Sequence, residues 1–255
     1  MRSSKPLSVV AVAAVASAAV VGALAAWTPA RGQESAVAKP AVATPVSVSL
    51  PSKPPKGAVV LFGGKPEELR DNWYRRYTTE PANWTAEKGV ATPLASAKTD
   101  ITSRAEFGDS YVHAEFRTPV YPASERNGHG NSGIALQGRY EVQILGDHGK
   151  APGRSGAGSL YSQKPPIVNA SKPAGEWQTM DIIFRAPRFD EAGKVVEKPR
   201  ATVFQNGVLV QNNEEFTGMT GIQYGQYKEM AKTGPVVLQG DHDLVQFRNV
   251  WVVPL

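Results

Sequence analysis

Beyond Gly57 the chain consists of short apolar or alternating runs cut by Gly, Pro, Asn and Asp, and almost no stretch sustains a helical period. That pattern constrains the fold more than any other feature. It predicts strands at 58–62, 101–103, 111–117, 133–136, 140–145, 179–185, 201–205, 208–210, 236–239 and 245–253. Many short strands with irregular loops close as an all-β antiparallel β-sandwich or jelly roll. Asn206-Gly207 is the strongest hairpin signal, because Asn-Gly accepts the positive φ angles of a type I′ turn and strand-like runs flank it. The spacing GxGxxG occurs once, at 128–133, but between a loop and an expected strand rather than between a strand and a helix, and neither a P-loop nor an internal repeat occurs, so no nucleotide cofactor is expected.

Charge is divided unevenly between two segments. The chain has 255 residues and a formal net charge of +5. Residues 1–56 carry six basic side chains against Glu34 alone, which leaves 22 basic and 22 acidic side chains in residues 57–255. A neutral body speaks against a phosphate-tracking surface, and no nucleic acid partner is expected. Residues 1–30 have the anatomy of a signal peptide: Arg2 and Lys5, an apolar run at 7–27, then Thr28-Pro29-Ala30. The run is mostly alanine and valine with Ser8, Ser17 and Gly22, a weak drive to stay in lipid. Export with cleavage is therefore expected over an uncleaved anchor, leaving no stable membrane span. Residues 31–56 form a Pro/Ala-rich linker without an aromatic residue, and residues 57–255 form one domain. The absence of cysteine excludes disulfides, thiolate metal sites and a cysteine nucleophile.

Period-two alternation sorts side chains between faces. In 140–144, Tyr140, Val142 and Ile144 share one side, which leaves Glu141 and Gln143 together on the other. In 111–117 the core side is Val112, Ala114 and Phe116, opposite His113, Glu115 and Arg117. In 245–253 two alternating faces are equally apolar, and periodicity does not place Arg248. Trp73, Trp84 and Trp251 are expected in the core.

Several motifs then occur in a telling order: Leu61-Phe62-Gly63-Gly64-Lys65, Glu115-Phe116-Arg117, Gly130-Asn131-Ser132-Gly133-Ile134, Tyr140-Glu141-Val142-Gln143-Ile144-Leu145, Lys172-Pro173-Ala174-Gly175-Glu176-Trp177, Leu238-Gln239-Gly240-Asp241-His242 and Phe247-Arg248-Asn249-Val250. Together they resemble the 3-keto-disaccharide hydrolase family of secreted bacterial proteins. The resemblance implies a concanavalin A-like jelly roll with a carbohydrate site on its concave face, and cleavage of glycosides already oxidised to a ketone at C3. One departure stands out. The family's closing Leu-Gln-Asp-His-Gly is interrupted here by Gly240, and Asp243 stands where glycine is common.

A C3 ketone acidifies the proton on C2 and places the glycosidic oxygen β to the resulting carbanion, so cleavage by elimination becomes possible. Such chemistry needs a base at C2–H, an acid at the leaving oxygen and a polarising group at the C3 oxygen. The resemblance and the face pattern make Glu141 the candidate base and His242 the candidate acid. Glu141 and His242 are also the candidate ligands of one divalent metal ion of unassigned identity. Gln143, Asn131, Ser132, Gln239 and Arg117 are the candidate sugar hydrogen-bonding groups, and Tyr161 or Trp177 the stacking platform. Plainer roles compete: Glu115 and Arg117 as a cross-strand ion pair, and His129, His148 and Asp147 as turn residues.

Two other functions fit the same pattern. A noncatalytic lectin-like module would keep the amides and aromatics and tolerate loss of Glu141. A conventional two-carboxylate glycosidase needs a second acid beside Glu141, where Gln143 stands, and would have to recruit Glu115 or Asp147. The leader reading carries its own test. N-terminal sequencing of the exported protein is expected to begin at Arg31, and a retained Met1 would show an anchor instead.

Overall fold

The computed structural model describes residues 47–122, 130–220 and 229–255. The leader and His129 lie outside them. In chain order the elements are β1 (Val59–Phe62), α1 (Pro66–Asn72), β2 (Trp73–Arg75), β3 (Thr85–Glu87), β4 (Val90–Thr92), β5 (Ile101–Phe107), β6 (Ser110–Arg117), β7 (Ser132–Leu136), β8 (Tyr140–Ile144), β9 (Gln178–Arg185), β10 (Arg188–Phe189), β11 (Val195–Glu197), β12 (Arg200–Gln205), β13 (Val208–Glu215), β14 (Gly234–Leu238) and β15 (Gln246–Pro254). They form an antiparallel sandwich. An eight-stranded sheet runs β13-β12-β9-β6-β15-β4-β3 with β1 added to β15, and a five-stranded sheet runs β2-β5-β14-β7-β8.

The inward side chains of both sheets make one core. Tyr140, Val142, Ile144, Ile134 and Leu238 come from the five-stranded sheet, and Val112, Phe116, Ile182, Phe184 and Phe247 from the eight-stranded one. The Tyr140 ring meets Phe184 at 5.7 Å and Phe216 at 5.2 Å, joining the two layers at one end. Trp84 stacks on Phe247 at 5.7 Å. Each large side chain buried in this way contributes roughly 1.5–3 kcal/mol. The short helix α1 begins at Pro66, and Glu68 accepts hydrogen bonds from the Lys65 and Gly63 amides at 2.9 and 2.7 Å. Among the described residues no helix is long and apolar enough to cross a membrane.

Strand β15 resolves the face that alternation leaves open. Its register against β6 shifts between Arg248 and Trp251, and Asn249 takes φ 48°. This bulge keeps Phe247, Val250 and Val252 inward while Arg248 and Trp251 both face outward. Trp251 is thus fully buried but outside the central core, stacked on His113 at 4.8 Å. His113 pairs with Asp181 at 2.7 Å, and the Tyr111 hydroxyl donates to the same carboxylate at 2.7 Å. Burial and Asp181 hold the Tyr111 proton well above the usual phenol range. Glu115 pairs with Arg248 at 2.6 Å rather than with Arg117, which corrects the expected cross-strand pair.

Composition puts residues 47–56 in a spacer, yet part of that segment packs on the domain. Ser47 bridges Val208, the Val48 amide donates to the Gly207 carbonyl at 2.8 Å, and Asn249 donates to the Ser52 carbonyl at 2.6 Å. Asn206-Gly207 forms the expected two-residue turn, with φ 54° and 76°. A Cβ on Gly207 would stand 2.4 Å from the Val48 carbonyl oxygen. Gly207→Ala is therefore expected to cost about 1–2 kcal/mol for its left-handed backbone and to release residues 47–52. Hydrogen exchange should show lost protection at the Val48 amide with the central strands unchanged.

Candidate functional site

The outward face of the five-stranded sheet is organised by register into two rows that cross every strand. The first runs Tyr74, Thr102, Val237, Ala135, Glu141. The second runs Arg76, Asp100, Gln239, Gly133, Gln143, its outer members extending the ladders through the Arg76 amide on the Asp100 carbonyl and the Gln239 amide on the Gly133 carbonyl, each at 3.0 Å. Ala135 and Val237, both fully buried, pack together apart from the main core. Strands stand ~4.8 Å apart, so each row is roughly 19 Å long.

Glu141 stands at one end of this platform, buried. Its carboxylate lies over Gly133, where a Cβ would come within 2.2 Å of Oε1, so only glycine leaves space for it. With its amide nitrogen turned toward Glu141, Gln143 donates to Oε1 at 3.0 Å and to the Ser132 carbonyl at 3.2 Å. Its oxygen then stands 3.0 Å from the Asn131 side-chain oxygen, so the Asn131 amide has to turn with it to donate. Asn131 is fixed in turn by Asp243, whose carboxylate accepts from the Asn131 amide at 2.7 Å and from the Tyr121 hydroxyl at 2.8 Å. Asp243, the departure from the family pattern, is thus a buried anchor for this end of the site.

Beyond β8, residues 158–161 run alongside as an added edge. Gly158 donates to the Gln143 carbonyl at 2.8 Å, Gln143 to the Ser159 carbonyl at 3.0 Å, and Tyr161 to the Glu141 carbonyl at 3.1 Å. Leu160 pairs with Val142 and faces the core, which turns Ser159 and Tyr161 to the Glu141 side. Tyr161 therefore joins the site. Ser132 faces inward, and its hydroxyl is spent on the Gln239 carbonyl at 2.7 Å, so the expected sugar contact from that hydroxyl is corrected to a strand-bridging role.

The remaining expected residues divide. Gln239 is central to the second row. His242 sits on the loop after β14, half-exposed, with Asp241 3.6 Å from its Nε2, and no described hydrogen bond or ion pair joins it to Glu141. Among the described residues no three His, Cys, Asp or Glu side chains converge as a metal site. Arg117 and Trp177 lie on the outward face of the eight-stranded sheet and do not meet Glu141. Both acids that a two-carboxylate glycosidase would recruit are committed elsewhere. Glu115 is held by Arg248 and Asn249 on that other face, and Asp147 organises its own loop by accepting from Ala157 and Asn169. His148 fills a similar role, its Nδ1 2.5 Å from the Ser171 carbonyl.

Sequence reading missed the far end of the platform. Asp100 forms a buried 2.7 Å ion pair with Arg76 and accepts from the Gly240 amide at 3.0 Å. Thr102 Oγ1, Gln239 Oε1 and Ser159 Oγ are buried without a hydrogen-bond partner among the described residues. An unmet buried hydroxyl or amide costs about 1–3 kcal/mol, so three along one face are a cost that the described contacts of the fold do not offset.

Fold and site together define a β-sandwich of the jelly-roll type with a carboxylate-centred polar platform on one sheet. Residues 57–253 match the family model described as the 3-keto-alpha-glucoside-1,2-lyase-like domain, and the chain belongs to that family. It is similar to a "putative glycosyl hydrolase" from Parabacteroides distasonis, with 35% identity, 78% of this chain and 84% of the other covered, and a TM-score of 0.67. A second structure of the same description and organism shares 18% identity over 78% of this chain and 94% of its own, at a TM-score of 0.55, a likeness of fold. No curated protein matches the chain.

Asp241 gives this end of the platform a pH signature. Burial and the adjacent Asp100 charge raise its carboxyl above the ordinary range, against the opposing pull of His242. The folded chain thus holds this proton more tightly than the unfolded chain does. The contribution is full below the ordinary carboxylate range and is lost as pH rises through the raised value. Asp241→Asn is therefore expected to raise the urea midpoint at pH 7, with the gain vanishing below roughly pH 4.

Proposed function

We propose that this protein is an exported enzyme that cleaves the glycosidic bond of 3-keto-disaccharides by elimination, with Glu141 as the base. Family membership and the likeness to a glycosyl hydrolase support a glycoside-active enzyme. The observation that carries the finer reading is the buried Glu141 carboxylate, held over Gly133 with the Gln143 amide beside it. Gln143, Asn131 and Gln239 stand near it as candidate partners for sugar hydroxyls.

Glu141 takes the C2 proton. The electrons of that bond delocalise onto the C3 oxygen as an enolate, then form C1=C2 as the C1–O bond breaks, and the departing oxygen gains a proton. Water adds across the unsaturated ketone, with hydroxide to C1 and a proton to C2, and the sum is hydrolysis. We assign the leaving-group proton to His242, half-exposed on the loop after Gln239. In an α-glucoside C2–H and C1–O point to opposite ring faces, so the two roles call for separate residues. No step is routed through a metal.

Two substitutions separate these roles. Glu141→Gln should lower kcat on a 3-keto-disaccharide by ~10²–10⁴, with binding of the sugar retained. Unaltered turnover would remove Glu141 from the chemistry. His242→Gln should slow the same substrate but spare a 3-keto nitrophenyl glucoside, whose leaving group needs no proton. Equal loss on both substrates would exclude His242 as the acid.

A further inference from the structure

Arg117 and Trp177, separated from Glu141, belong to a third row on the outward face of the eight-stranded sheet. Cross-strand register aligns Trp177, Arg117, Gln246, Thr92 and Thr85 across β9, β6, β15, β4 and β3. They border a cleft of about 560 Å³ with Glu87 and Lys88 at its rim. A second hollow of about 370 Å³, lined by Val120 and Leu244, shares Thr92, Arg117 and Gln246 with the first and continues it.

Charge distinguishes the two arginines here. The guanidinium carbons of Arg248 and Arg117 lie 4.0 and 4.9 Å from the centre of the Trp177 ring. Arg248 is neutralised by Glu115 at 2.6 Å. Arg117 donates from Nε and Nη2 to one neutral oxygen, Gln246 Oε1, at 2.9 and 2.5 Å, and no carboxylate lies within ion-pair distance of it among the described residues. Gln246 is itself oriented by donating to Thr92 Oγ1 at 3.2 Å. The guanidinium is thus held in place by an indole and an amide, half-buried, and has no counter-charge among the described residues. A planar donor fixed in advance loses little entropy on binding and matches the two oxygens of a carboxylate. The hydroxyls and amide that continue the row suit a chain of sugar rings better than a compact anion.

We infer that this cleft is a second ligand site, on the sheet opposite the Glu141 platform, and that it takes a carboxylate-bearing saccharide through Arg117. The site holds acidic glycan near the enzyme without entering the reaction, so it stands whether or not the proposed elimination does.

Titration calorimetry of the full chain against oligogalacturonate, a neutral malto-oligosaccharide of equal length and inorganic phosphate tests this directly. The uronate is expected to bind at least tenfold more tightly than either control. Arg117→Met should abolish that preference, and Gln246→Glu, which supplies Arg117 with a counter-charge in place, should do the same. In both variants the melting temperature and the turnover of a 3-keto-disaccharide should stay at wild-type values. Should Gln246→Glu alone fold, its result decides. Uronate binding unchanged in a folded variant, absent in wild type, or matched by phosphate would overturn the proposal.

Discussion

Cross-strand register is the constraint on which the rest of this molecule depends. A strand alternates its side chains with a period of two, so one residue of slippage would send Glu141 into the core and Tyr140 to the surface. Because β2, β5, β14, β7 and β8 are held in one register, residues far apart in sequence fall into rows: Arg76, Asp100, Gln239, Gly133 and Gln143 cross the whole sheet. The tilted contacts of Tyr140 with Phe184 and Phe216 lock that register, since they bury the inward side of the strand that carries Glu141.

The same constraint explains where polar groups are tolerated inside. Glu141 and Gln143 are buried, and each polar atom taken from water needs a partner or exacts a cost. Gln143 and Asp243 satisfy one end of the platform through Glu141, Ser132 and Asn131, and the Arg76–Asp100 pair satisfies the other. Between them Thr102, Gln239 and Ser159 keep buried atoms without a partner among the described residues. Such groups lower stability, as the Asp241 carboxyl, raised by burial and by Asp100, does near neutral pH.

Ten strands are legible in the sequence because each carries alternation or a sustained apolar run, and all ten form. β2, β3, β4, β10 and β11 are two or three residues long, too short for a period to show, and only pairing in the folded chain defines them. The bulge at Asn249 hides Arg248 for a related reason, since it breaks the alternation that sequence reading relies on. Glu141 and Gln143 are recognisable from one alternating strand, and Asn131 and Gln239 from the motifs that carry the family resemblance. Arg117 and Trp177 are not separable from them by sequence: alternation says which side of its own sheet a residue takes, never which sheet. Ser132 shows the converse, a residue beside Asn131 whose single step along β7 turns its hydroxyl inward. Asp100 and Asp241 carry no pattern at all, and meet only through the pairing of β5 with β14.

The central claim is that cleavage begins at C2–H, and isotopic substitution there tests it most directly. A 3-keto-disaccharide deuterated at C2 should show a primary isotope effect on kcat/KM, and the released keto sugar formed in D2O from unlabelled substrate should carry deuterium at C2. Cleavage with no isotope effect at C2 and no exchange, or equal rates on the disaccharide before and after oxidation at C3, would contradict it.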